Sequence, residues 1–364
     1  MMAPSWLKWT PAIIAVGAVA AAAVGLPLAA NASAPLPHKT PAQLIALVAS
    51  SKVHSLSGTI EQTSDLGLPT LPTVGAGSNS SASSTLELLT GSHTANIFLD
   101  GNSSARIQVL DQLAERDVIR HGSDVWIYDS KKHTAEHAKI SAKQHGLPAK
   151  KSPMATPSDL ATKLLDQLKS TSKITVGADV SVAGRSAYDL ILRPRATDTL
   201  LGSVSIAVDS ATGLPLRVQL SARSQTAAAV SVGFSSITLS KPAASVFAFS
   251  PPSNTKVTQL DTDKPHAKHK ADSKDKPDAQ NKAGAKHKPT TTVTGKGWDA
   301  VITIAKSGDL SGLTSSPLFA QLTTTVDGGR LFHTSLLNVL ITSDGRIVAG
   351  SVSAARLQSV AAAS

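Results

Sequence analysis

Through the middle of the chain, apolar side chains recur at every second position. Leu216, Val218 and Leu220 alternate with Arg217, Gln219 and Ser221, and Val204, Ile206 and Val208 alternate with Ser205 and Ala207. Tyr188, Leu190 and Leu192 oppose Asp189 and Arg193, while Val230, Val232 and Phe234 oppose Ser231, Gly233 and Ser235. A period of two describes a strand with one wet and one dry face. Asp209-Ser210-Ala211-Thr212-Gly213 lies between two of these runs and suits a hairpin loop. Many short strands with turns between them predict a mainly β fold, built on a large antiparallel sheet that curves into a sandwich or a barrel. Near the C-terminus, Trp298, Ala300, Ile302 and Ile304 alternate again. Two further strands are expected around residues 330–342 and 346–352, joined by Ser343-Asp344-Gly345, followed by a short helix carrying Leu357 and Val360.

Helix starts are marked by a hydroxyl residue placed just before a proline. Thr40-Pro41, Thr156-Pro157 and Ser316-Pro317 each put a capping side chain ahead of proline at the first helical position. After the first, Leu44, Leu47 and Val48 share a face; after the second, Leu160, Leu164 and Leu168 recur every four residues, with Asp159 favourably near the N-terminus. Both are short amphipathic helices that must rest on something apolar, and the dry face of the sheet is the surface available.

Composition changes divide the chain. Lys8 precedes an apolar, alanine-rich stretch over 12–26, followed by Pro27 and Ala30-Asn31-Ala32, the order of a secretory signal peptide with cleavage after Ala32. An uncleaved membrane anchor is the other reading, and either places the remainder outside the cytoplasm. Residues 66–84 are rich in Gly, Ser and Pro and are expected to form a mobile insertion, and 131–157, basic with several histidines, a long loop. Residues 261–289 hold more lysines than aspartates and almost no apolar side chains, so they are expected to be disordered. The expected organisation is a signal peptide or anchor over 1–32, a β domain over 33–260, a linker over 261–297, and terminal strands and a helix over 298–364 that return to the same sheet.

The 364 residues contain no cysteine, which excludes disulfides, thiolate-bound metal, a thiol nucleophile and lipid attachment through cysteine. The formal charge of +10 is spread along the chain, which does not mark a nucleic-acid partner. Hydrophobic residues make up 41% of the chain but aromatics only 3%, so a core must come from Val, Leu, Ile and Ala. No Gly-x-Ser-x-Gly elbow presents a serine nucleophile, and Gly75-Ala76-Gly77 lacks the third glycine and the following helix of a dinucleotide loop. His133 and His137 have metal-compatible spacing without a third ligand and are expected to be solvated; His266, His269 and His287 fall in the linker. Glu115 and Asp117, on what looks like a wet strand face, are expected to pair with basic side chains. No catalytic residue, metal or cofactor is expected.

Three signatures carry a family resemblance: Val125-Trp126-Ile127-Tyr128-Asp129; Asp209 followed by Thr212-Gly213-Leu214-Pro215-Leu216-Arg217; and Val246-Phe247-Ala248-Phe249 with Pro251-Pro252 and Val257. Their order over 41–257 resembles the LolA-like superfamily, which includes periplasmic lipoprotein carriers, RseB-type regulatory proteins and LppX-type lipid carriers. The resemblance implies an incomplete barrel with short helices as a lid over a hydrophobic cavity, and a non-catalytic carrier holding lipid or lipoprotein acyl chains. The alternative it implies is an RseB-like envelope-sensing module that binds a membrane regulator protein. For either, a membrane surface or membrane protein is the expected partner. The cavity lining is then expected from the dry face, at Leu190, Leu192, Val218, Leu220, Val232 and Phe234, with Leu160 and Leu164 from the lid helix. Each methylene moved into such a space contributes roughly 0.8 kcal/mol.

Overall fold

The computed structural model describes residues 35–68, 91–111, 114–140, 155–260, 290–305 and 317–363. The signal segment, most of the Gly/Ser/Pro-rich insertion with Gly75-Ala76-Gly77, and residues 261–289 of the basic linker with its three histidines lie outside these residues, while the end of that expected linker holds a strand over Thr291–Thr294.

The principal element is a 13-stranded sheet. Its strands are β1 (Ser55–Ser64), β2 (His93–Asp100), β3 (Ser104–Asp111), β4 (Ala114–His121), β5 (Asp124–Asp129), β6 (Thr134–Lys139), β7 (Ser172–Val176), β8 (Val180–Val182), β9 (Arg185–Pro194), β10 (Leu201–Asp209), β11 (Pro215–Ala222), β12 (Val230–Thr238) and β13 (Lys256–Leu260). The order is β13-β6-β5-β4-β3-β2-β1-β12-β11-β10-β9-β7, with β8 paired to β9. Two antiparallel meanders, β1 to β6 and β9 to β12, are thus joined where β1 meets β12. The sheet is curved and not closed into a barrel. Its registers slip between Thr59 and Ile60 and between Ala207 and Val208. Such irregularities bend strands and increase twist. One pairing departs from the antiparallel expectation: β13 runs parallel to β6, so the sheet is mixed.

Among the described residues two helices lie against this sheet, and both begin at the expected caps. In α1 (Pro41–Ala49), Thr40 Oγ1 accepts from the backbone N of Gln43 and Gln43 Oε1 accepts from the backbone N of Thr40. In α2 (Pro157–Leu168), Thr156 and Asp159 exchange the same pair of bonds. Each cap satisfies orphan N–H groups of the first turn. Leu44 of α1 is fully buried. In α2 the buried positions are Pro157, Ala161, Leu165 and Leu168, with Leu160 and Leu164 half-buried. The contact face is therefore turned from the 160/164/168 stripe, because small Ala161 lets the helix approach β11 closely.

The segment 131–157 is not one long loop. Its first part contains β6, where Ala135 and Ala138 are buried; short apolar side chains concealed the strand pattern among basic neighbours.

The C-terminal strands do not return to the first sheet. They form a six-stranded sheet of their own, ordered β14-β15-β19-β18-β17-β16, from β14 (Thr291–Thr294), β15 (Val301–Ile304), β16 (Thr323–Val326), β17 (Gly329–His333), β18 (Asn338–Thr342) and β19 (Ile347–Gly350). Helix α3 (Pro317–Leu322) precedes β16, and α4 (Ala354–Ala363) packs Leu357 and Val360 on Val301, Leu340 and Val348. The span 330–342, expected as one strand, is a hairpin, β17 and β18. The expected 298/300/302/304 alternation also gives way. Trp298 sits in a short 3-10 turn, after which Val301 and Thr303 face inward and Ile302 is 43% exposed. The turn resets the period, and a strand of Val, Ile and Thr carries little signal about which face is dry.

The two sheets meet at defined points. Thr199 and Val352 form an isolated antiparallel bridge, and Ser335 N donates to Leu66 O at 2.9 Å. Trp298 enters the core of the first sheet, its Nε1 donating to Ser172 Oγ at 2.7 Å. Residues 36–364 cluster as one compact unit.

Candidate functional site

The dry face carries two adjoining hydrophobic clusters. One joins Leu190, Leu192, Val204, Ile206 and Val218 to Leu44, to Ala161, Leu165 and Leu168 of α2, and to Trp298. The other joins Ile60, Ile97, Ile107 and Val109 to Val232 and Phe234. Leu160 packs against both and marks the seam between them. The eight expected lining residues divide between the two clusters: Leu190, Leu192, Val218, Leu164 and Leu220 in the first, Val232 and Phe234 in the second, with Leu160 packed against both. Leu190, Leu192 and Val218 have no exposed surface. A side chain with no accessible surface borders no space wide enough for water, so protein fills the volume at those three positions. Leu160, Leu164 and Leu220 keep part of their surface exposed. A separate surface pocket of about 440 Å³ lies in the C-terminal sheet, lined by residues including Asp327, Leu340, Asp344, Arg346 and Gln358.

The turn of the second signature positions α1. Asp209 accepts from Arg185 through both oxygens, at 2.8 and 2.9 Å, and from the Thr212 N–H at 2.9 Å. Burial would raise the Asp209 carboxyl, but these donors outweigh it and hold the group below the usual carboxylate range. Gly213 has φ +74°, and a Cβ there would lie 2.3 Å from the Leu47 carbonyl of α1. Glycine is required both for the left-handed conformation and for the approach of the helix.

The other face of β1 to β6 is polar and aromatic. Thr59 Oγ1 donates to Asn96 Oδ1, Asn96 Nδ2 to Gln108 Oε1, and Gln108 Nε2 to Glu115 Oε1, a ladder across four strands. Arg106 Nη2 donates to Asp117 Oδ2 at 2.5 Å and to Glu115 at 3.4 Å, and its Nη1 donates to Val246 O at 3.2 Å. Pairing of these carboxylates with a basic side chain agrees with expectation, but Asp117 is 1% exposed and not on a wet face. Burial lifts its carboxyl to about 7, against the pull of Arg106 and with a further push from Glu115. Burial also acts to raise Glu115, but hydrogen bonds from Asp117, Gln108 and Arg106 bring it below the usual range.

His137 corrects the expectation of a solvated histidine. It lies on β6, stacked on Trp126 with ring centroids 4.2 Å apart, and its side chain is 12% exposed. Nε2 lies 2.8 Å from Asp124 Oδ1 and Nδ1 lies 2.9 Å from Gln259 Oε1 of β13. The hydrogen bond from His137 lowers the Asp124 carboxyl. Phe249 completes the group, 5.5 Å from both Trp126 and Tyr128. Two signatures noted in the sequence, 125–129 and 246–249, thus meet in space. His133 stands on the preceding turn, near Asn254. Among the described residues no group of three or more His, Cys, Asp or Glu side chains is placed to hold a metal. No helix among them is long and apolar enough to cross a membrane.

The architecture is an open, curved β-sheet with helices on its dry face and a second small sheet beside it. Residues 84–257 match the sequence model of the MucB/RseB N-terminal domain. Among solved structures, the Pseudomonas aeruginosa MucA/MucB complex is similar at 16% identity with a TM-score of 0.43, covering 88% of this chain and 96% of that one. MucB in complex with MucA(peri) is similar at 16% identity and a TM-score of 0.42, over 88% and 97% of the two chains. A LolA superfamily protein from Nitrosomonas europaea shows 8% identity and a TM-score of 0.25, over 58% and 99%. No curated protein matches the chain significantly.

Proposed function

We propose that this chain is an exported, non-catalytic regulatory module that acts outside the cytoplasm by binding a membrane regulator protein, as the RseB-like reading expects. The observation that carries it is the match of residues 84–257 to the MucB/RseB N-terminal domain, a family one of whose namesakes, MucB, has been solved in complex with MucA(peri). The packed dry face supports the same reading. Leu190, Leu192 and Val218 already fill their space, so the body is ready to present a surface to a protein without first taking up a ligand.

A second reading, an acyl-chain carrier, is favoured by one feature. Leu160, Leu164 and Leu220 are half-buried apolar side chains at the seam where α2 meets the sheet, so acyl chains would enter by displacing that helix. Leu190, Leu192, Val218, Val232 and Phe234 would then become lining.

The two are separated by in-cell crosslinking of the full chain, paired with mass spectrometry of lipid extracted after gentle purification. The regulatory reading expects a single-span membrane protein whose purified outer segment binds this chain saturably, with no stoichiometric lipid. Stoichiometric co-purifying lipid, without saturable binding of any crosslinked protein, would overturn it in favour of the carrier.

A further inference from the structure

After β12 the chain crosses β3 and β4 as the 3-10 turn Ala244–Phe247, lays Phe249 on Trp126 and Tyr128, and returns as the edge strand β13. Residues 256–259 of that strand are exposed, so little apolar burial holds it. Its attachments are backbone bonds to β6 and side-chain contacts, one of which is built on a pair of carboxylates.

We propose that residues 243–260 form a proton-responsive strap, closed while the Asp117–Glu115–Arg106 cluster retains one proton and loosened when that proton is lost. The idea goes beyond the regulator-binding reading and does not depend on it.

The geometry sets the direction. Arg106 reaches from β3 to both carboxylates and to the strap carbonyl of Val246. Asp117 Oδ1 has no donor and is sealed from water. A proton on Asp117 satisfies that oxygen, with Glu115 beside it as acceptor, and leaves one carboxylate against one guanidinium. Without it, two negative charges face one positive charge in a place where burial penalises ionisation. Opening the strap admits water and relieves the imbalance. The groups facing Asp117 are Arg106 from β3, Glu115 from its own strand and the Tyr128 phenol opposite on β5. The strap over 243–250 has no charged side chain. Burial raises the Asp117 carboxyl to about 7, which puts the change at neutral pH.

The far end of the strap is held through His137, whose Nε2 lies 2.8 Å from Asp124 Oδ1 and whose Nδ1 lies 2.9 Å from Gln259 Oε1 of β13. Lys139, paired in register with Asp124, is the other charge facing this site.

Hydrogen exchange on the full chain tests this, with protection corrected for the intrinsic pH dependence and 201–222 as the internal control. Residues 244–260 are expected to lose about tenfold in protection between about pH 6 and about pH 8.5 relative to the control. Asp117→Asn, which holds the cluster neutral, and Glu115→Gln, which leaves one carboxylate per guanidinium, should each shrink that change, so failure of one variant to fold leaves the other. Equal relative protection at both pH values overturns the proposal. So does the full wild-type pH change in either folded single variant.

Discussion

Trp298 offers a direct test of how the second sheet is attached. Its indole is 7% exposed, lies in the cluster formed by Leu190, Leu192, Leu165 and Leu168, and donates to Ser172 Oγ at 2.7 Å. Ser172 in turn donates to the Leu168 carbonyl at the end of α2. Gly297, with φ +61°, permits the entry, because a Cβ there would lie 2.3 Å from Thr171 Oγ1. Trp298→Ala removes the largest side chain linking the two sheets and should cost about 3–5 kcal/mol, a large part of an ordinary domain's stability. Trp298→Phe keeps most of the apolar area and loses the indole donor, at about 1–2 kcal/mol. A cycle with Ser172→Ala should return a coupling of about 1 kcal/mol. Urea denaturation supplies the free energies, with Trp126 fluorescence following the first sheet. Limited proteolysis reports on 290–363, which should become sensitive in Trp298→Ala well before Trp126 reports unfolding. If Trp298→Ala costs less than about 1 kcal/mol and leaves 290–363 as resistant as in the parent, the anchoring argument is refuted.

Three further outcomes are expected. Gly213→Ala should destabilise by about 1–3 kcal/mol from backbone conformation alone, with more from the contact with Leu47 O, measured by chemical denaturation. Asp209→Asn should cost about 3 kcal/mol at neutral pH because it leaves Arg185 without its charged partner. As the folded Asp209 carboxyl is depressed, its contribution is present above the unfolded value near 3.8 and is lost as pH falls through the lower folded value, so the parent and variant stability curves should converge in acid. Ala161→Phe, which places a ring where α2 touches the sheet, should cost about 1–3 kcal/mol and raise binding of an apolar dye as the helix lifts; unchanged dye binding would argue against α2 as the moving element.

Much of this fold was legible along the chain wherever local chemistry settles local structure. The caps at Thr40 and Thr156 are short-range hydrogen bonds, so the starts of α1 and α2 follow from adjacent residues. The alternation through 188–234 names the dry positions because a pleated strand has period two, and Leu190, Leu192, Val204, Ile206 and Val218 are indeed fully buried. The Asp209–Leu214 turn was legible because its hydrogen bonds join residues within five positions of one another. The strand β6 was not, since Ala135 and Ala138 are too small to stand out among lysines and histidines, although both are buried by neighbours.

Sequence alone therefore determined which residues are dry through 188–234, where α1 and α2 begin and that no cysteine chemistry is available. Tertiary structure decided what the dry residues face. Leu190 could border a hollow or a packed neighbour with the same alternation, and only the folded chain leaves it without exposed surface. The separation of the terminal strands into a second sheet, the burial of Asp117 beside Arg106, and the seat of His137 between Asp124 and Gln259 depend on pairings between residues up to 122 positions apart. No local period encodes such partners, because each is selected by the packing of the whole molecule.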